Sequence, residues 1–217
     1  MAVKRVIFIR PGETDWNRQL RWQGWVAIPL NELGRKQAQR LASFMRNIGI
    51  SALYSSDLRR ALETAQLIVE PLDFQPILDE RLRERNIGDW QGLTPDEMQN
   101  WFPDEYARLM EDPDNFRVPG GESRADVRKR MRAAFDDIIA QAAGETVAIM
   151  SHTTAINALL TDLLPGGYRT KTLFSNSSVT TIHLGDDGVW QLVAADDVMH
   201  LEGLESKAFP ELEDKRK

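Results

Sequence analysis

Short β-branched apolar runs alternate with amphipathic stretches along this chain, and that alternation limits its fold more than any other feature. Val3 to Ile9 reads as a buried strand. Asn31 to Asn47 carries Leu33, Ala38, Leu41, Ala42 and Met45 on one helical stripe. Ser51 to Ser55 holds the next strand. Asp57 is placed to cap a helix running towards Val69, with Ala61, Leu62, Ala65 and Ile68 on its inner face. A further strand is expected near Pro76-Ile77-Leu78. Glu145 to Met150 is another strand, followed by a helix from Thr153 to Leu164. This order predicts an α/β fold with a mostly parallel central sheet and helices on both faces. Ser178 to Leu184 and Val189 to Ala194 flank Gly185-Asp186-Asp187-Gly188, which reads as a hairpin at the sheet edge. At 217 residues the whole chain, 1–217, suits a single domain.

Residues 85–125 break the rhythm with Gly88, Gly92, Gly120 and Gly121 among Pro95, Pro103, Pro113 and Pro119. Within them Thr94-Pro95-Asp96-Glu97 is a helix start: Thr as N-cap, Pro at the first position, Glu at the third. The helix that follows is expected to be short and acidic. The stretch reads as an excursion over the sheet, either a lid or an ordinary long insertion. Ser123 opens another helix, ending near Ala143-Gly144. Residues 205–217 are charged and are expected to fray.

The net charge of −6 argues against general nucleic-acid binding, which needs a basic face. No apolar run reaches the ~18 residues of a membrane span, so no membrane partner is expected. Met1 to Arg5 leads into the first strand without a small-residue cleavage site, unlike a secretory leader. Cysteine is absent, which removes disulfides and thiolate metal sites and fits a cytoplasmic protein. The three histidines, His152, His183 and His200, do not pair at helical spacing, so no metal site is expected.

Ligands of open parallel sheets bind beyond the carboxyl ends of the strands. Three polar segments fall there: Arg10 to Asn17, Ser55 to Ala61, and Ser151 to Thr154. They would bring together Arg10, one or both of Arg59 and Arg60, and His152. Guanidinium groups suit phosphate oxygens because they present a rigid fork of donors. Residues 1–24 hold Lys4, Arg5, Arg10, Arg18 and Arg21 against Glu13 and Asp15, a cationic segment in an acidic chain. That contrast points to a small anion. Singly, each residue is ordinary; an arginine after a strand is usually solvated or ion-paired. Their placement at successive strand ends makes the pattern informative. His183 and His200 read as structural or solvent-facing. Trp16, Trp22 and Trp25 could wall a pocket or merely pack.

Phe8-Ile9-Arg10-Pro11-Gly12-Glu13-Thr14-Asp15-Trp16-Asn17 resembles the signature of the histidine phosphatase (phosphoglycerate-mutase-like) superfamily, Arg-His-Gly-Glu-Thr followed by Trp-Asn. The likeness continues in Arg21, Gln23-Gly24, Pro29-Leu30 and Gly34. It resumes in Tyr54 to Ala61, Thr64-Ala65, Leu82-Arg83-Glu84, Gly88 to Gly92, Gly120 to Ser123 and Ser151-His152, in the family's order. The resemblance implies a phosphate pocket and covalent phosphohistidine chemistry without a cofactor or metal. Arg10, Arg60 and His152 match positions that hold the phosphoryl group, and Asn17 one that supports the pocket. Glu84 matches the acid that protonates the leaving oxygen and then activates water. A carboxyl group beside a phosphate dianion holds its proton more firmly, which suits that role.

Residue 11 departs from the pattern. The family's nucleophilic histidine falls there, and here it is Pro11, with no nucleophilic side-chain atom and no backbone N–H. The fold is expected to survive while the chemistry stops. Ala27, Thr153 and Asn157 also depart from common family residues and bear on substrate identity. The chain therefore resembles a phosphomonoesterase that binds a small phosphorylated metabolite and would hydrolyse it with histidine at 11. One alternative is an inactive pseudoenzyme that binds a phosphoester or pairs with an active subunit; another is a phosphoglycerate mutase. Glu84-Arg85-Asn86-Ile87-Gly88-Asp89-Trp90 resembles the compact phosphatase branch rather than the cofactor-dependent mutases. A homodimer remains open.

Overall fold

A computed structural model of the protein describes residues 2–168 and 173–206. Their elements follow the order β1 (Arg5–Ile9), α1 (Asp15–Arg18), α2 (Glu32–Met45), β2 (Ala52–Ser55), α3 (Arg59–Val69) and β3 (Ile77–Leu78), then α4 (Pro95–Trp101), α5 (Pro103–Glu111), α6 (Arg124–Gln141), β4 (Thr146–Met150), α7 (Thr153–Leu163), β5 (Val179–Leu184) and β6 (Trp190–Asp197). The strands form one sheet in the order β3-β2-β4-β1-β5-β6. The β3, β2, β4 and β1 strands run parallel, and β5 and β6 close the far side as an antiparallel hairpin. The predicted mostly parallel α/β sheet with an edge hairpin is what forms. No helix among the described residues is long and apolar enough to cross a membrane.

Period-two alternation on the central strands builds two cores. Val6 and Phe8 of β1, with Val147 and Ile149 of β4, face α6 and α7 residues such as Met131, Phe135, Ile156 and Leu159. Ile7 and Ile9, with Ala148 and Met150, face Leu41, Met45, Ala61, Ala65 and Ile68 of α2 and α3. Both faces of these strands are therefore dry, which explains why their sequences are apolar throughout rather than alternating. Full burial of a side chain such as Phe8 contributes roughly 1.5–3 kcal/mol.

Helix starts follow local chemistry, with one correction. Asn31 accepts from Gly34 N at 2.8 Å. Thr94 and Ser123 each form reciprocal capping boxes, with Glu97 and Asp126. Asp57 does not cap α3: its carboxylate is taken by Arg83 at 2.7 and 2.5 Å, and Leu58 stands at the cap position without a side-chain bond. The excursion holds two complete α-helices, not one, because Pro103 restarts the chain after Phe102. Ile87, Trp90, Met98, Leu109, Phe116 and Val118 form their own cluster beneath it.

Gly34 makes the approach of α2 to the first strand-end loop. A Cβ there would lie 2.0 Å from Glu13 O and 2.6 Å from Glu13 N. Both are backbone atoms of a buried loop and cannot yield without moving it. Gly34→Ala is therefore expected to destabilise the protein by at least about 2 kcal/mol, as overpacking does, seen as a lowered Tm in thermal unfolding.

Candidate active site

The strand order brings the carboxyl ends of β1, β4 and β2 side by side, because β4 lies between strands formed much earlier in the chain. Arg10, Ser56 and His152 leave those three ends. The loop after β1 is held at nearly every backbone group. Arg10 N donates to Ser178 O at 3.2 Å, Gly12 N to Thr64 Oγ1 at 3.2 Å and Glu13 N to Gln37 Oε1 at 3.0 Å. Pro11, which is buried, has no donor to place. Its carbonyl accepts from Ser177 N at 3.1 Å and Asn176 Nδ2 at 3.2 Å. Thr14 caps α1, and Asn17 Oδ1 accepts from Thr14 N and Thr14 Oγ1, both at 3.0 Å. Asn17 Oδ1 also accepts from Asn176 Nδ2 at 3.3 Å, so Asn176 joins Asn17 to the carbonyl of residue 11.

Arg10 Nη1 donates to the Phe174 carbonyl. That carbonyl is positioned from β6: Asp196, at φ 51°, accepts from Ser175 N at 2.6 Å and from Ser175 Oγ at 3.0 Å. Arg60, in the first turn of α3 and only 4% exposed, donates to Gly24 O at 3.0 Å and Val26 O at 3.2 Å. Its neighbour Arg59 turns outward to pair with Glu63 at 2.8 Å, so of the two arginines only Arg60 enters the site. Burial lowers both Arg10 and Arg60 to about 10 against the opposing pull of Glu84, which leaves both cationic at neutral pH.

Glu84 approaches from the segment after β3. Its carboxylate accepts from Arg85 N at 2.7 Å and from Thr154 N, in the first turn of α7, at 3.2 Å. Its carbonyl accepts from Trp25 Nε1 at 2.6 Å and Arg130 Nη2 at 2.9 Å. Arg130 also donates to Arg81 O and Arg83 O, both at 2.7 Å, and pairs with Glu122 at 2.8 Å. One guanidinium on α6 thus fixes the backbone that carries Glu84. Trp25 is the tryptophan joined to this segment, with the Arg83 guanidinium 4.8 Å from its ring centroid. Trp22 packs on the cluster around Trp90.

His152 is 3% exposed, and its Nε2 lies 2.9 Å from Ser56 Oγ. Burial lowers its pKa well below the ordinary histidine value, helped by the charges of Arg60, Arg10 and Arg130. The imidazole is therefore neutral at pH 7. His183 is exposed on β5. His200 stacks on Phe44 and bonds Ser177 O.

The site gathers two guanidinium groups, a neutral imidazole and a carboxyl group around the strand ends, in a chain of net charge −6. Sequence reading missed Arg130, Ser175, Asn176 and Asp196. Arg130 sits in the charge-rich run Arg128-Lys129-Arg130-Met131-Arg132, which looks like any solvated helix face.

Residues 6–198 match the model of the histidine phosphatase superfamily, branch 1. A phosphoglycerate mutase-like protein of Arabidopsis thaliana is 35% identical over 200 residues, covering 91% of this chain and 86% of that protein. Among solved structures, a mycobacterial glucosyl-3-phosphoglycerate phosphatase in complex with VO3 superposes with a TM-score of 0.81 at 32% identity, covering 90% of this chain and 100% of the other. A phosphoserine phosphatase from Entamoeba histolytica, in a histidine-to-alanine mutant form complexed with phosphoserine, gives a TM-score of 0.81 at 29% identity, covering 91% and 98%. The chain belongs to branch 1 of the histidine phosphatase superfamily.

Proposed function

We propose that the protein binds a small phosphorylated metabolite through Arg10, Arg60 and His152, with Asn17 supporting the pocket, and holds it without turnover because residue 11 is proline. With histidine at position 11 the same pocket is a phosphomonoesterase. The observation that carries this reading is the gathering of Arg10, Arg60, His152 and Glu84 at the strand ends around a buried Pro11. In that variant, the imidazole of residue 11 would attack phosphorus, the bond from phosphorus to the leaving oxygen would break, and Glu84 would give that oxygen its proton. Water would then attack phosphorus, giving its proton to Glu84, and the bond from phosphorus to the imidazole nitrogen would break, releasing phosphate and restoring the histidine. Arg10, Arg60 and His152 would stabilise charge on the equatorial oxygens, where most phosphoryl-transfer catalysis lies. The phosphoserine complex of the histidine-to-alanine phosphatase mutant supports the view that a relative altered at a histidine can still hold a phosphoester.

Hydrogen bonds to charged groups contribute about 1.5–3 kcal/mol each, so the parent chain is expected to bind phosphate or vanadate measurably. Arg10→Ala removes one donor fork and should weaken binding at least tenfold, about 1.4 kcal/mol. Binding should also weaken with added salt, because the attraction is largely Coulombic. Titration calorimetry at several ionic strengths checks both. Equal affinity in parent and Arg10→Ala would move the pocket elsewhere.

A further inference from the structure

Ser56 is fully buried at the carboxyl end of β2, beside the strand that delivers His152. Its backbone N–H is committed to Met150 O at 2.9 Å, and its Oγ accepts from Leu58 N at 3.3 Å. The hydroxyl proton therefore needs an acceptor. His152 Nε2, at 2.9 Å, is in reach. If Nε2 instead carried the ring proton and gave it to Oγ, the buried hydroxyl proton would lack an acceptor among the described residues, a cost of roughly 1–3 kcal/mol. Donation from Ser56 gives the buried hydroxyl proton its acceptor, and it requires an unprotonated Nε2 with the ring proton on Nδ1.

We propose that Ser56 is a positioning residue that fixes His152 as the Nδ1–H tautomer, so that the imidazole meets a phosphoryl oxygen as a neutral donor. The second half rests on the phosphate-pocket reading above. The charged groups around the ring agree with it. Arg10 from the end of β1, Arg60 from α3 and Arg130 from α6 all oppose an imidazolium, and Glu84 is held on α7 through Thr154 N. The anion's charge is then matched by guanidinium groups, while the imidazole adds direction without a third positive charge.

The molecule contains its own contrast. His200 Nε2 lies 3.0 Å from Ser177 O, and a carbonyl can only accept, so His200 must be the Nε2–H tautomer. Partial burial keeps its pKa below the ordinary value too, so both rings are neutral near pH 7.5. With three histidines in the chain, long-range ¹H–¹⁵N spectra of the full protein resolve each ring, and His152→Gln assigns the signal. The expected spectrum without ligand shows opposite tautomers, Nδ1–H for His152 and Nε2–H for His200. Ser56→Ala should move His152 towards Nε2–H and weaken vanadate binding about two- to tenfold, the worth of one hydrogen bond. Ser56→Thr, which keeps the hydroxyl, should restore both. His152 read as Nε2–H or as imidazolium in the parent overturns the proposal without any variant, as does an unchanged tautomer in folded Ser56→Ala. Failure of vanadate to bind a parent with the expected tautomer overturns the phosphate pocket instead and leaves the Ser56 assignment standing.

Discussion

Pro11→His is expected to raise hydrolysis of an aryl phosphate by at least about 10³-fold over a parent at background, because loss of a nucleophile from a cooperating set can cost on the order of 10⁶ in rate. The surroundings are ready for the change. The carbonyl of residue 11 is held by Ser177 N and Asn176 Nδ2, contacts that do not involve its side chain. Gly12, Glu13 and Thr14 keep their own partners on Thr64, Gln37 and Asn17. The backbone should therefore hold its course when the ring is replaced, and the new side chain should leave from the same buried position between Arg10 and Gly12. Steady-state release of the aryl alcohol by parent and variant, side by side, measures the gain. A parent rate within about tenfold of the variant, or about 1.4 kcal/mol in barrier, would require a nucleophile other than residue 11.

In the Pro11→His background, Glu84→Gln should cut turnover of alkyl phosphates by about 10²–10⁴ while sparing aryl phosphates, whose leaving oxygens need no proton. The contrast between the two leaving groups separates proton donation from damage to the fold. The segment should keep its place, since the carbonyl of residue 84 stays bonded to Trp25 Nε1 and Arg130 Nη2. The side chain does lose something: its two oxygens accept from Arg85 N and Thr154 N, and an amide can answer only one of them. A uniform loss on both substrates would report that structural change instead of missing acid catalysis. Rates on one aryl and one primary alkyl phosphate, for both variants, give the comparison.

The parts of this molecule that sequence exposes are those set by local chemistry. The apolar runs of β1 and β4 follow from burial on both faces. The caps Asn31, Thr94 and Ser123 bond within a few residues of themselves, so neighbours in sequence suffice to read them. Asp57 looked like such a cap and is not, because Arg83, 26 residues away, takes its carboxylate in a bidentate pair. The same limit hides the outer supports of the site. Asp196 supports Arg10 by its charge and through Ser175 and the Phe174 carbonyl, and its left-handed backbone has no sequence mark of the kind a glycine gives. Arg130 acts across α6 on carbonyls of residues 81, 83 and 84. Arg59 and Arg60 were indistinguishable by type. The motif resemblance singles out Arg60, and the helical turn gives the physical reason, sending Arg59 to Glu63 at the surface and Arg60 beneath the loop at Gly24. The excursion from 85 to 125 hid its packing because glycines and prolines interrupt any period, although Trp90, Met98, Leu109 and Phe116 meet in one cluster.

That residue 11 alone separates this chain from phosphoryl chemistry is tested most directly by trapping the phosphoenzyme. Parent and Pro11→His are mixed with a labile phosphoryl donor, quenched, and weighed intact by mass spectrometry. The expected result is an acid-labile phosphoryl adduct on Pro11→His, mapped to residue 11, and none on the parent. An adduct on the parent, or a folded Pro11→His that binds the donor yet never takes up the phosphoryl group, would contradict it.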